Sequence, residues 1–314
     1  MNVAKLLRET KETLFTFEIL PPLKGGSFEE VENTIKPLLE FNPAYINITS
    51  HRNEVAFRKT EFGNMERYKT KKRPGSVGVA AAIKHKFNIE VVPHLICAGF
   101  TKDETEDALI DYNYLGLNNL FVIRGDKSKS EPYFITEPGG YTHAVELLSQ
   151  IQNMNNGIYL DLTTNMPTAF SCGVAGYPEG YEENSFEKDL LFLKEKIDKG
   201  AEYIVTQMFF DNQYYYNFVK SCRKIGIDVP IVPGLKPISL KNQMEQLPKL
   251  FNIHLPEPLL KELQKCTTDK AAKQVGTQWC IQQCKDLKAN KVPSLHIYTY
   301  GVSDNVFSVC KNVY

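Results

Sequence analysis

Apolar residues recur along this chain in two alternating rhythms. In residues 14–20 the period of two puts Phe15, Phe17 and Ile19 on one face of a strand, with Leu14 and Leu20 on the other. Pro21 and Pro22 end that strand, because consecutive prolines cannot continue a hydrogen-bonded ladder. The period then changes. Behind a capping Ser27, the residues Phe28, Val31, Ile35, Leu38 and Leu39 form one helical stripe. The exchange repeats to the end of the chain. Further strands are expected at 44–49, 89–95, 119–124, 169–175, 203–209, 229–233 and 295–300. Helices are expected at 74–87, 101–115, 140–154, 186–199, 212–225, 239–290 with breaks at Pro256 and Pro258, and 302–313. Thr101 and Glu104 make a capping box, Gly116 and Gly200 close two of the helices, and residues 50–73 read as a polar loop. Strands alternating with helices over this length predict an α/β fold, a (β/α)8 TIM barrel, in one domain over 1–314. Neither G-x-G-x-x-G after the first strand nor G-x-x-x-x-G-K occurs, which weakens the nucleotide-binding open-sheet alternatives.

One residue breaks the first strand's apolar pattern. Glu18 is a carboxylate in a greasy setting, which is unfavourable unless the group is partnered or neutral. It reads either as half of a structural ion pair or as a general acid with a raised pKa at a strand end.

Composition narrows the class. Hydrophobic residues make up 42% and charged residues 24%, ordinary for a soluble globular protein, and the formal net charge is +0. Neither a nucleic acid nor a membrane surface is therefore expected as partner. Seven scattered cysteines and a charged amphipathic start, Val3 to Arg8, lead to the expectation of reduced thiols and a cytoplasmic protein. No apolar run approaches the ~18 residues that span a bilayer. Asn47-Ile48-Thr49 matches a glycosylation sequon but reads as a strand end.

In a barrel, chemistry collects where strands end. Those ends carry Glu18, Thr49, His94, Arg124 with Asp126, Tyr177, Gln207 with Asp211, and Lys236. Each has a plainer reading. His94 and Cys97 have zinc-like spacing but no second pair of ligands nearby, so a structural or ligand-stacking histidine is favoured. Cys280 and Cys284, four apart beside Trp279, read as packing; Arg124 and Asp126 could pair with each other. Phe209-Phe210 reads as core, and Tyr214-Tyr215-Tyr216 as a half-exposed face or subunit contact. No metal site is expected. Lys236 keeps a second enzyme class open, a Schiff-base aldolase with Glu18 as proton shuttle. A catalytically silent binding barrel is a third reading.

Six stretches taken in order carry a resemblance: Phe17-Glu18-Ile19-Leu20-Pro21-Pro22, Pro93-His94-Leu95-Ile96-Cys97, Phe121-Val122-Ile123-Arg124-Gly125-Asp126, Tyr177-Pro178-Glu179, Thr206-Gln207-Met208-Phe209-Phe210-Asp211 and His296-Ile297-Tyr298-Thr299. Together they resemble the methylenetetrahydrofolate reductase family, in its short bacterial-type form. The resemblance implies a flavoprotein that uses FAD and NADH or NADPH in a ping-pong reduction of 5,10-methylenetetrahydrofolate to 5-methyltetrahydrofolate, supplying methyl groups for methionine synthesis. It also implies a homo-oligomer. Carried over by motif, Glu18 is the general acid that opens the folate ring, and Asp126 lies near flavin and pterin. Gln207 and Gln243 contact substrate. Thr49, His94, Arg124, Gly125, Asp126, Tyr141 and Tyr177 hold the flavin, with Asp189 and Lys196 reaching its phosphate–adenosine tail. Apolar neighbours such as Phe15, Phe17 and Pro21 are expected to keep Glu18 neutral.

The chain departs from the family's pattern in places. After His296-Ile297-Tyr298-Thr299 the family has Leu-Asn-Arg, whereas Tyr300-Gly301-Val302 stand here, removing a basic residue near the folate tail. The loop 127–138 is longer, and Thr49-Ser50-His51-Arg52 replaces a Tyr-Gly-Ala type of turn. Longer family members carry a regulatory domain after the barrel, so no control by adenosylmethionine through this chain is expected.

Overall fold

The computed structural model describes residues 1–128, 131, 133–181, 185–301 and 304–314. Among these the strands are β1 (Leu14–Ile19), β2 (Ile46–Ile48), β3 (Glu54–Lys59), β4 (Met65–Thr70), β5 (Val91–Ile96), β6 (Asn119–Ile123), β7 (Ser171–Gly176), β8 (Ala201–Met208), β9 (Ile231–Leu235) and β10 (Ser294–Tyr298). The helices are α1 (Val3–Glu9), α2 (Phe28–Ile35), α3 (Ser76–Phe87), α4 (Lys102–Tyr114), α5 (Ala144–Asn155), α6 (Phe186–Asp198), α7 (Asn212–Lys224), α8 (Gln243–Phe251), α9 (Glu257–Lys265), α10 (Asp269–Ala289) and α11 (Asp304–Val313).

All strands but β3 and β4 close into a parallel barrel in the order β1-β10-β9-β8-β7-β6-β5-β2. Helices return the chain between successive strands, which is why neighbours run parallel. The expected (β/α)8 barrel is the fold observed. Strand parity decides what each face does. Phe15, Phe17 and Ile19 point outward and pack with Val31 and Ile35 of α2 in the main core between strands and helices. Thr16 and Glu18 therefore point inward.

The two ends of the barrel are closed differently. At the N-terminal end α1 lies across the opening, and Val3, Ala4 and Leu7 pack with Tyr45, Val92, Phe121, Tyr203, Val205 and Val232. The Val3 N–H donates to Asn119 Oδ1 at 2.9 Å, which fixes the plug to the start of β6. The C-terminal end is polar.

Several expected boundaries shift. The supposed polar loop 50–73 contains an antiparallel hairpin in which Glu54 pairs with Thr70 and Lys59 with Met65. Cross-strand hydrogen bonds and a turn at Gly63 (φ +85°) build it, rather than burial, so apolar alternation gave no signal. The long helical region 239–290 resolves into α8, α9 and α10, with Pro256 ahead of α9 and Pro258 in its first turn, where a missing N–H does no harm. Strand β9 lies two residues further along than expected. All seven cysteines are buried and free. Among the described residues no helix is long and apolar enough to cross a membrane.

Candidate active site

The C-terminal mouth is built from inward-facing side chains at the ends of the strands. Glu18 leads them. Its register partners are Asn47 on β2 and Tyr298 on β10, and its Oε2 lies 3.3 Å from His94 Nε2 of β5. Burial raises the Glu18 carboxyl to about 8. Burial, and then the nearby His296 and His51 rings, push His94 down to about 3. With Glu18 raised and His94 lowered, both groups are uncharged at neutral pH, so their approach is not an ion pair. Asn47 Nδ2 lies 3.4 Å from the same ring nitrogen, and the Phe121 ring packs against His94 at a tilt of 43°, 4.9 Å between centroids.

This corrects one expectation. Phe15 and Phe17 do not keep Glu18 neutral, because the two-residue period turns them to the opposite face of β1. Desolvation inside the barrel, beside uncharged His94 and Tyr298, does so instead. The Glu18 backbone is fixed as well: its carbonyl accepts from Thr299 Oγ1 at 2.7 Å.

Other expected residues fall around this centre. Thr49 donates its hydroxyl to the Ile19 carbonyl at 3.3 Å, tying the tops of β1 and β2. Arg124 follows β6; its guanidinium donates to Tyr181 Oη at 2.8 Å and lies 4.8 Å from the Phe134 ring centroid. Gly125 has φ +81°, and a Cβ there would meet Ala98 Cβ at 2.9 Å, so only glycine lets the chain turn here. Asp126, next in the chain, is exposed at the rim. Tyr177 is raised chiefly by burial and then by Tyr181, whose ring lies 4.6 Å away, and by Asp126. Tyr141 is buried under the Lys102 ammonium, and burial lifts its phenol to about 12. Asp189 accepts the Tyr181 N–H at 2.5 Å. Burial lowers Lys196; Asp189 opposes that effect and Arg124 adds to it.

Gln207 spends its Oε1 on the N–H of Met208. Gln243 is more committed: its Oε1 accepts from Ser239 N at 2.7 Å and Leu240 N at 3.1 Å, capping the turn into α8. Residue Val302 and part of the 127–138 loop, both singled out from the sequence, lie outside the described residues. His94 and Cys97 do not act as a pair, since Cys97 Sγ donates to the Ile123 carbonyl. Cys280 and Cys284 pack with their sulfurs 4.0 Å apart. Phe209 and Phe210 are core, as expected, while in the Tyr214–Tyr216 run Tyr215 is buried and donates to the Ile231 carbonyl.

Sequence reasoning missed four contributors. Asn47 and Tyr298 flank Glu18, and Tyr300 is raised by burial and then by the nearby Glu18 and Asp126 carboxyl groups, which places its ring at the same mouth. Arg52 pairs with Glu131 at 3.0 Å and links the approach to the hairpin with the loop after β6. Extending the inward parity of Thr16 and Glu18 to Tyr45 and Asn47 would have found the first of these.

FAD, implied by the resemblance, can be tested against these residues. Arg124 and Lys196 gather two cations, one largely buried, beside the glycine turn at Gly125. Such a donor set suits a pyrophosphate, and Tyr177, Tyr181 and Phe134 offer aromatic surface next to it. The residues fit the group.

A closed (β/α)8 barrel with a neutral acid at the C-terminal end of its first strand has the form of a barrel enzyme's active site. The family model for methylenetetrahydrofolate reductase matches residues 3–314, and the chain belongs to that family. It is 28% identical to a methylenetetrahydrofolate reductase (NADH) 1 of Arabidopsis thaliana over 98% of this chain and 50% of that protein. It is 28% identical to the 5,10-methylenetetrahydrofolate reductase of Salmonella typhimurium over 94% of this chain and 88% of that one. The chain thus spans about half the length of the plant relatives it matches. A Clostridium thermocellum protein solved with two copies of 5-methyl-5,6,7,8-tetrahydrofolic acid has the same fold, with TM-score 0.60 and 15% identity over 100% of this chain and 98% of that one. The aldolase reading falls here. The family is a reductase family, and Lys236 lies over the Tyr300 ring with no acid–base partner among the described residues.

Proposed function

We propose that this barrel reduces 5,10-methylenetetrahydrofolate to 5-methyltetrahydrofolate, with FAD as cofactor and NADH or NADPH as donor. The observation that carries the reading is the neutral Glu18 at the end of β1, 3.3 Å from a neutral His94, in a chain of this family.

The role of Glu18 follows from the chemistry of the substrate. The methylene bridge of the folate opens only when the departing ring nitrogen takes a proton, and a carboxyl still protonated at pH 7 can give one. His94, held neutral, leaves the proton on Glu18 instead of drawing it off. Asp126 at the rim and Gln207 through its Nε2 orient the pterin. Thr49, His94, Arg124, Gly125, Tyr141 and Tyr177 would hold the flavin end of FAD, and Asp189 with Lys196 its phosphates. Bound FAD supplies the two-electron carrier between nicotinamide and folate.

The test is the visible spectrum of the purified protein under anaerobic conditions. Flavin absorbance that bleaches with NADH or NADPH and returns on adding methylenetetrahydrofolate is expected. A colourless protein that takes up no added FAD would overturn the reading.

A further inference from the structure

Lys236 follows β9 and is only 4% exposed. A buried ammonium needs an anionic or polar partner, because the protein interior solvates charge far less well than water does. Among the described residues Lys236 has neither an ion pair nor a hydrogen bond; its Nζ lies 4.7 Å above the ring centroid of Tyr300. Burial lowers the amine only to about 8, so it is mostly charged at pH 7.

The surroundings say what the charge faces. Strand β9 pairs with β10, and Tyr300 lies two residues past the end of β10. Tyr300 adopts a left-handed conformation (φ +51°), strained for a side chain of its size, followed by Gly301 at φ +80°. That turn puts the phenol over Lys236 while leaving the ring half exposed. The same ring lies near the Glu18 and Asp126 carboxyl groups. Two residues before Lys236, Gly234 keeps the wall thin: a Cβ there would lie 2.1 Å from the Thr206 carbonyl, which already accepts from Tyr298 Oη. An aromatic ring open on one side and a desolvated cation under it therefore stand at the β9–β10 edge of the mouth.

We propose that Tyr300 and Lys236 form the seat for the p-aminobenzoyl-glutamate tail of the folate, with Lys236 as the residue that pairs with a glutamate carboxylate. This rests on the folate reading above. The aryl ring of the tail stacks on the open side of Tyr300, and the carboxylate supplies the counter-charge that the fold withholds. Lys236 is a binding residue here; it takes no part in proton or hydride transfer.

The test compares two probes on two proteins by calorimetry: 5-methyltetrahydrofolate and its glutamate diamide, on wild type and Lys236→Met. The diamide keeps the shape of the tail and removes its charge. Wild type should prefer the diacid by about 10–100-fold, as expected for a desolvated charge-assisted contact. Lys236→Met should prefer it by less than about threefold, and Lys236→Arg should regain part of the preference. A preference undiminished in Lys236→Met, or none in wild type, overturns the proposal while leaving the folate reading standing. Failure of wild type to bind either probe overturns both. Should Lys236→Met not fold, the wild-type preference and the Lys236→Gln variant decide in the same way.

Discussion

Two glutamates, one at each end of the barrel, show how the same side chain is used in opposite ways. Glu90, just before β5 at the closed end, is met by the Lys84 ammonium at 3.6 Å and by Asn119 Nδ2 at 3.0 Å. Glu18, at the open end, has His94 as its titratable neighbour at 3.3 Å, and that ring is neutral. The contrast extends to the surroundings. At the closed end Asn119 accepts from Val3 and donates to Glu90, over the apolar plug of α1. Among the described residues, Asn47 Oδ1 and His296 Nε2 at the open end are buried without protein partners, as are the Tyr45 and Tyr203 hydroxyls beneath the plug, and Lys236 has only a ring. The difference lies in charge: the closed-end carboxylate is met by a cation, whereas desolvation keeps the open-end one protonated.

That contrast can be broken most sharply at Glu18. Glu18→Gln keeps the shape and removes the proton. Folate-driven reoxidation of the reduced flavin should fall on the order of 10²–10⁴-fold in stopped flow, while nicotinamide-driven bleaching changes little. Equal slowing of both halves would mean that the substitution had disturbed cofactor placement instead. The closed end should respond in stability and not in chemistry. Leu7→Ala, in the α1 plug, is expected to lose about 2–5 kcal/mol in denaturant unfolding, with the rate per folded molecule unchanged. A plug variant that lost activity while folded would blur the division of labour.

The barrel was legible because both periods are clean along the chain and the proline and glycine stops fall between them. Glu18, His94, Arg124 and Asp126 were legible as polar residues at strand ends. What could not be read was which face they share. Phe15 and Phe17 looked like the neighbours of Glu18 in sequence, yet Glu18 is one and three residues from them, and residues an odd number apart on a strand face opposite ways. Tyr300 entered only as a departure from a motif, since its left-handed backbone is a tertiary property. The β3–β4 hairpin stayed hidden because it buries little.

The pH dependence of stability sharpens the comparison further. The Glu18 pKa is raised from 4.5 to about 8, so its contribution is fully present below about 4.5 and is lost as pH rises to about 8. The His94 pKa is lowered from 6.5 to about 3, so its contribution is present above about 6.5 and is lost as pH falls towards 3. Glu18→Gln should therefore gain on wild type in melting temperature between pH 5 and 8. A constant difference across that range would place the charge change elsewhere. The smallest effect belongs to the hairpin, where Lys69 pairs with Glu137 at 2.6 Å at a half-exposed site. Lys69→Ala should shift unfolding by no more than about 1 kcal/mol.

The central claim is that the mouth holds a protonated carboxylic acid at neutral pH. Infrared difference spectra between wild type and Glu18→Gln read this directly. The account predicts a carboxylic-acid C=O stretch in wild type at pH 7, absent from the variant and lost as pH is raised through about 8. Carboxylate bands alone at pH 7, with no acid band to lose, would contradict it.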